Sequence, residues 1–233
     1  MWNKKIKKTV YTLNLNPDAY KEITDMTYPL IKRYCHKIGA DFYVIDKRKF
    51  PEWKSPTYEK TQIYELGQQM ENDWNIFFDC DAIIHPDTPD FTSHFSKDTV
   101  IHNGSDFASL RWKYDRYFLR DGRNIGSPTW LCIASDWCIE LFKPFDDMTP
   151  DEVYSNIFPI QAETIKGYEP YRLVEDYLFS RNIAKYGLKF DTIIDFFKRN
   201  NFESGNFFWH IYAVPIDEKV VKMRQRMEEW GLV

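Results

Sequence analysis

The sequence predicts an α/β protein whose central sheet is mostly parallel and flanked by helices. Three observations carry this prediction. A strand-helix-strand spacing opens the chain, and a helical crossover of that kind joins parallel strands with right-handed winding. The run Ile76-Phe77-Phe78 is β-branched and aromatic without alternation, as a strand covered on both faces reads. That run ends in Asp79-Cys80-Asp81 and then turns apolar again at Ala82-Ile83-Ile84. Carboxylates do not belong in the middle of a buried strand, so the strand must end there, in a crevice.

The elements follow in order. Thr9–Asn14 reads as the first strand, short and rich in β-formers. Asn16 is placed as N-cap and Pro17 at the first position of a helix reaching Ile38, where Gly39 stops it. Tyr20, Ile23, Tyr28, Ile31, Tyr34 and Cys35 mark the apolar face of that helix. Asp41–Ile45 is the second strand, and Ser55-Pro56 begins a helix lasting to Met70. Further strands are expected at Thr99–His102, Thr129–Ala134 and Phe190–Phe196, with an apolar segment at Phe207–Tyr212. Ser135 should cap a helix over Asp136–Phe142, and Pro170–Phe179 should lead into another that ends near Gly187. The last helix, Asp217–Trp230, sets Val220, Val221, Met227 and Trp230 on one side. Residues 103–128 read as a functional loop rich in Gly, Asp, Arg and aromatics. No internal repeat, low-complexity tract or linker interrupts the 233 residues, so one domain is expected.

Composition narrows the function classes. A net charge of −4 gives no domain-wide basic field, which excludes a nucleic-acid binder of the usual kind. No run approaches the ~18 apolar residues of a transmembrane segment. The four cysteines show no C-x-x-C spacing and fit reduced thiols in a cytoplasmic protein. Aromatic residues reach 18%, enough to fill a core and still offer rings for stacking on sugars or bases.

Chemistry centres on Asp79 and Asp81. Two hard oxygen ligands at a strand end suit Mn²⁺ or Mg²⁺, with a diphosphate completing the coordination. Lys60 sits in the first turn of its helix, against the dipole's preference for anions there. A phosphate at the helix N-terminus would explain it, and a solvated lysine is the alternative. Glu175 and Asp176 are neighbours, so on a helix their side chains diverge by about 100° and cannot form one clamp. They read either as partners of the helix dipole or as a carboxylate facing the crevice. His210 is either a core histidine among aromatics or a third metal ligand returning through the fold. His85, His94 and His102 have no ligand spacing.

This pattern resembles the GT-A glycosyltransferases, enzymes that use nucleotide-diphosphosugars, with a Rossmann-like first half and a D-x-D metal motif. The local match is to the galactosyl-, xylosyl- and mannosyltransferases of glycosyltransferase family 34. There an aromatic-x-Lys stretch opens a helix leading to an apolar strand and D-S-D-A-L. The corresponding text is Tyr58-Glu59-Lys60, then Phe77-Phe78-Asp79-Cys80-Asp81-Ala82-Ile83, and the match spans residues 9 to 85. The resemblance implies a nucleotide-sugar-binding half over about 1–85 and an acceptor-binding half over about 86–233. It implies that Asp79 and Asp81 meet Mn²⁺ and the donor diphosphate, and that His210 completes the metal shell. Thr12 and Leu13 would contact the base or ribose, Lys60 the donor, and Asp176 or Glu175 the donor sugar or acceptor. Transfer of a hexose from a UDP-sugar to a glycan or other hydroxyl acceptor follows, with retention favoured. A chain this short, without stem or anchor, fits a cytoplasmic bacterial, phage or viral enzyme. His210 is followed by Ile-Tyr-Ala-Val, where the related families carry Gly or a basic tail.

Two other readings remain open on sequence. A haloacid-dehalogenase-like phosphatase also has D-x-D at a strand end, but continues with Gly-Thr or Gly-Val and places it on an early strand. A non-catalytic sugar-binding protein on a GT-A shell is the other.

Overall fold

The computed structural model describes residues 5–104, 129–202, 207–212 and 214–232. The expected functional loop lies, from residue 105 to 128, outside the described residues. In chain order the elements are β1 (Lys8–Leu13), α1 (Lys21–Ile38), β2 (Asp41–Ile45), α2 (Gln62–Gln69) and β3 (Trp74–Phe78). Next come β4 (Ile83–Ile84), β5 (Thr99–His102), β6 (Leu131–Ser135), α3 (Pro150–Tyr154) and α4 (Gln161–Ile165). The chain closes with α5 (Val174–Lys185), β7 (Lys189–Thr192), α6 (Ile193–Arg199), β8 (Phe208–Trp209) and α7 (Ile216–Glu229).

Six strands form the central sheet in the order β2-β1-β3-β6-β5-β7. β6 runs antiparallel to both its neighbours, and the other three pairings are parallel. The expected α/β fold with a mostly parallel sheet is therefore what the chain adopts. Strand periodicity explains the continuous apolar runs. Val10, Ile76, Phe78, Leu131 and Ile133 enter one core, while Tyr11, Phe77, Cys132 and Ala134 enter the core on the opposite face. A third cluster packs α7 against α1 through Ile23, Ile83, Val220, Met223 and Met227.

Several boundaries differ from the sequence reading for local reasons. Asn16 caps a turn, accepting from Ala19 N at 3.3 Å, and α1 begins only at Lys21. The strand expected to reach Phe196 stops at Thr192, whose hydroxyl accepts from Asp195 N at 3.0 Å and starts α6. Ile193, Phe196 and Phe197 are then buried at helical spacing. Asp136–Phe142 is a 3₁₀ segment, with Ser135 capping it as expected. On α7, Val221 is 64% exposed and Met223 takes the buried position.

Behind the sheet, a buried amide-phenol network ties β1 to β3. Asn75 Oδ1 accepts from the Tyr11 hydroxyl at 3.2 Å and from Asn72 Nδ2 at 3.1 Å. A Cβ added at Gly67 would lie 2.5 Å from that oxygen. Alanine is favoured over glycine in a helix by about 1 kcal/mol, but overpacking a filled interior costs about 1–3 kcal/mol. Gly67→Ala should therefore destabilise the protein on balance, by up to about 2 kcal/mol in urea denaturation; a more stable variant would contradict this packing.

His102 is fully buried on β5, and its Nδ1 accepts from Gly104 N at 3.2 Å. Burial holds the imidazole down at about 4, against an ordinary 6.5. The unfolded chain binds this proton first, so stability is intact above 6.5 and falls as pH drops toward 4. The loss attributable to His102 should be about 3 kcal/mol. Denaturation of His102→Gln at pH 7 and pH 4.5 should show a shallower acid loss than the parent.

Candidate active site at the end of the third strand

All five residues of β3 are buried, and the chain turns as soon as the strand ends. Ala82 N donates to Asp79 O at 3.0 Å, closing a turn over Asp79, Cys80, Asp81 and Ala82. Two neighbours pin it. Asp79 N donates to Trp130 O at 2.8 Å, and the Thr27 hydroxyl on α1 donates to Cys80 O at 2.6 Å. The turn thus presents two carboxylates from a backbone held at both ends.

His210 arrives by strand pairing. β4 and β8 are antiparallel with Ile83 opposite Trp209, so the next residue, His210, reaches the turn. Its Nε2 lies 3.2 Å from Asp81 Oδ1 and 3.7 Å from Asp79 Oδ2. The Trp130 ring stacks on the imidazole at 5.2 Å and 14°, which fixes its plane. One ligand atom from each of Asp79, Asp81 and His210 falls within 4.8 Å of the others. Two carboxylate oxygens and one imidazole nitrogen make a donor set that suits Mn²⁺ or Mg²⁺.

Each carboxylate is also ion-paired to a buried lysine. Lys60 is 1% exposed, and its ammonium lies 3.0 Å from Asp79 Oδ1, 2.8 Å from Glu175 Oε2 and 2.8 Å from Thr129 O. It sits over the Phe77 ring at 4.6 Å. Burial opposes this charge, but Asp79 and Glu175 outweigh it and hold the ammonium above its ordinary range. Glu175 shows the opposite balance. Burial raises its carboxyl most, Lys60 pulls it down, Asp79 and Asp176 push it up, and the outcome is about 7. On the other side, the Lys219 ammonium from α7 pairs with Asp81 Oδ2. Burial works against the Asp81 carboxylate too, yet His210 and Lys219 outweigh it and bring it down to about 2.

Two clefts open at this point, and Asp79 lines both. The first, about 240 Å³, is walled by Leu13, Asn14, Asn16, Tyr20, Thr57 and Asp81, among others. The second, about 370 Å³, is walled by Trp130, Tyr168, Arg172, Glu175, Asp176 and His210, among others. Of the residues singled out from sequence, Asp79, Asp81 and His210 converge on one point, and Glu175 and Asp176 both border the second cleft. Leu13 faces the first cleft, whereas Thr12, one residue earlier on the strand, is fully buried. The three oxygens within reach of Lys60 all belong to the protein itself. Sequence reasoning missed Lys219, Tyr20 and Trp130. Only Lys219 carried a local signal, a lysine in the first turns of a helix beside Asp217 and Glu218.

No protein-family model matches the chain, and no curated protein is similar to it in sequence. Solved structures do resemble it in fold. One is a glycosyltransferase involved in glycosylating the major capsid of PBCV-1, at 14% identity and TM-score 0.49, covering 94% of this chain and 98% of that one. A second is a Drosophila β-1,4-galactosyltransferase 7 in complex with manganese, UDP-Gal and xylobiose, at 10% identity and TM-score 0.48, covering 89% and 72%. A third is the galactosyltransferase LgtC with donor and acceptor sugar analogues, at 11% identity and TM-score 0.38, covering 79% and 73%. At these scores the chemistry rests on the side chains of this chain.

Lys60→Met removes the one cation that bridges Asp79 and Glu175 among the described residues. Losing one partner of a buried pair costs about 3–5 kcal/mol, and water reaching Asp79 argues for the lower end, about 3 kcal/mol. Urea denaturation should show that loss, and in Lys60→Met/Glu175→Gln it should be smaller than the sum of the two singles. Additive losses would mean the pair does not interact.

Proposed function

We propose that this protein is a divalent-metal-dependent glycosyltransferase of the GT-A type. It moves a hexose from a nucleotide-diphosphosugar, a UDP-sugar, to a hydroxyl on a glycan or other acceptor. The observation that carries the reading is the cluster of Asp79, Asp81 and His210 at a strand end where two clefts meet. A site that must join a charged leaving group to an acceptor needs such a junction.

Asp79, Asp81 and His210 would hold Mn²⁺ or Mg²⁺. When bound, the ion supplies a Lewis acid that neutralises charge on the departing diphosphate. The first cleft is the donor side. Leu13 and Tyr20 offer apolar area for a base or ribose, and Asn14 and Asn16 offer polar groups, while Thr12 lies buried one residue earlier in β1. The second cleft is the acceptor side, and residues 86–233 form the acceptor-binding half. Asp176 acts there on the acceptor hydroxyl or on positive charge developing at the anomeric carbon, with Glu175 beside it. Lys60 serves the donor side by holding Asp79. Retention at the anomeric carbon follows the family 34 resemblance. Among the described residues no helix is long and apolar enough to cross a membrane. A cytoplasmic bacterial, phage or viral setting is part of the same proposal.

Calorimetric titration with UDP and with GDP, each with Mn²⁺ or with a chelator, tests the reading. Binding of UDP in the micromolar range should need Mn²⁺ and disappear in Asp81→Asn. Preference for GDP would change the donor base and leave the reaction class intact. Absence of nucleotide binding under every condition would overturn the proposal.

A further inference from the structure

Asp79 and Asp81 share one arrangement. Each turns one oxygen toward His210 and the other toward a buried lysine, Lys60 for Asp79 and Lys219 for Asp81. The two lysines differ in what else holds them. Lys60 has three protein oxygens within 3.0 Å. Lys219 is 7% exposed, and Asp81 is its one carboxylate partner among the described residues. Its helix is anchored on α1 by Val220, Met223 and Met227, so the stem is directed at the turn by packing that the ion pair does not supply. The ammonium also occupies the first turns of α7, where the helix dipole disfavours a cation, and the Asp81 carboxylate offsets that penalty.

We propose that Lys219 is a built-in counter-cation of Asp81 that makes metal and nucleotide bind together. Without ligands, Asp81 is balanced one-to-one by Lys219, while Lys60 is shared between Asp79 and Glu175. A dication entering alone meets repulsion from Lys219 at short range and has to displace it from Asp81. A nucleoside diphosphate arriving with it brings the negative charge that Lys219 then faces, and Asp81 is freed for the ion. Lys219 is thus a positioning residue that acts through Asp81 and the incoming diphosphate. The inference rests on the metal-nucleotide site proposed above.

Electron paramagnetic resonance of Mn²⁺ measures this without any turnover. The parent should bind Mn²⁺ weakly alone and about tenfold or more tightly with UDP. Lys219→Met should bind Mn²⁺ alone about tenfold more tightly than the parent, and UDP should add little further. Lys219→Gln keeps a polar head for Asp81 and should shift in the same direction, which preserves the test if the methionine variant does not fold. Neutral variants that bind Mn²⁺ no more tightly than the parent, while the parent still binds Mn²⁺ with UDP, would overturn the role of Lys219 alone. Failure of the parent to bind Mn²⁺ even with UDP would remove the metal site itself.

Discussion

Asp79 and Asp81 stand at the end of a strand that is buried along its whole length, where a lone carboxylate costs several kcal/mol. Everything around them answers that cost. Lys60 comes from the segment before α2, Lys219 from the last helix, and His210 from the short β4–β8 ribbon. Strand pairing and helix packing bring three distant parts of the chain to one turn, where the two lysines meet its negative charge. Removing either lysine leaves a carboxylate unpaired where water does not fully replace it.

The same arrangement gives the site its shape. The turn from Asp79 to Ala82 is held from β6 through Trp130 and from α1 through Thr27. Its carboxylates therefore sit on two packed layers, with a cleft on either side. Lys60 links the sides, since it touches Asp79 at the junction and Glu175 in the second cleft.

Two adjacent acids on α5 show how environment separates like residues. Asp176 and Glu175 border the same cleft. Glu175 spends its carboxylate on Lys60 and has its proton affinity raised by burial and by two neighbouring acids. Their helical spacing turns them in different directions, as expected of consecutive helix positions, and the tertiary contacts give them different surroundings.

The sequence by itself determined the local features. Strand β3 was legible because unbroken β-branched and aromatic residues need cover on both faces, and its end was legible because carboxylates cannot continue it. The β-α-β opening and the cap at Ser135 were legible for the same reason, since they depend on neighbours only a few residues apart. Tertiary structure decided the rest. His210 reaches Asp81 because Ile83 pairs with Trp209, a register that no local pattern encodes. Leu13 faces the cleft and Thr12 the interior because strand faces alternate, and which face is open depends on what packs there. Lys219 looks like any solvated helix lysine until α7 docks on α1 and aims it at Asp81. Electrostatic pairing across a fold is set by proximity in space, and proximity in space is what a linear pattern does not carry.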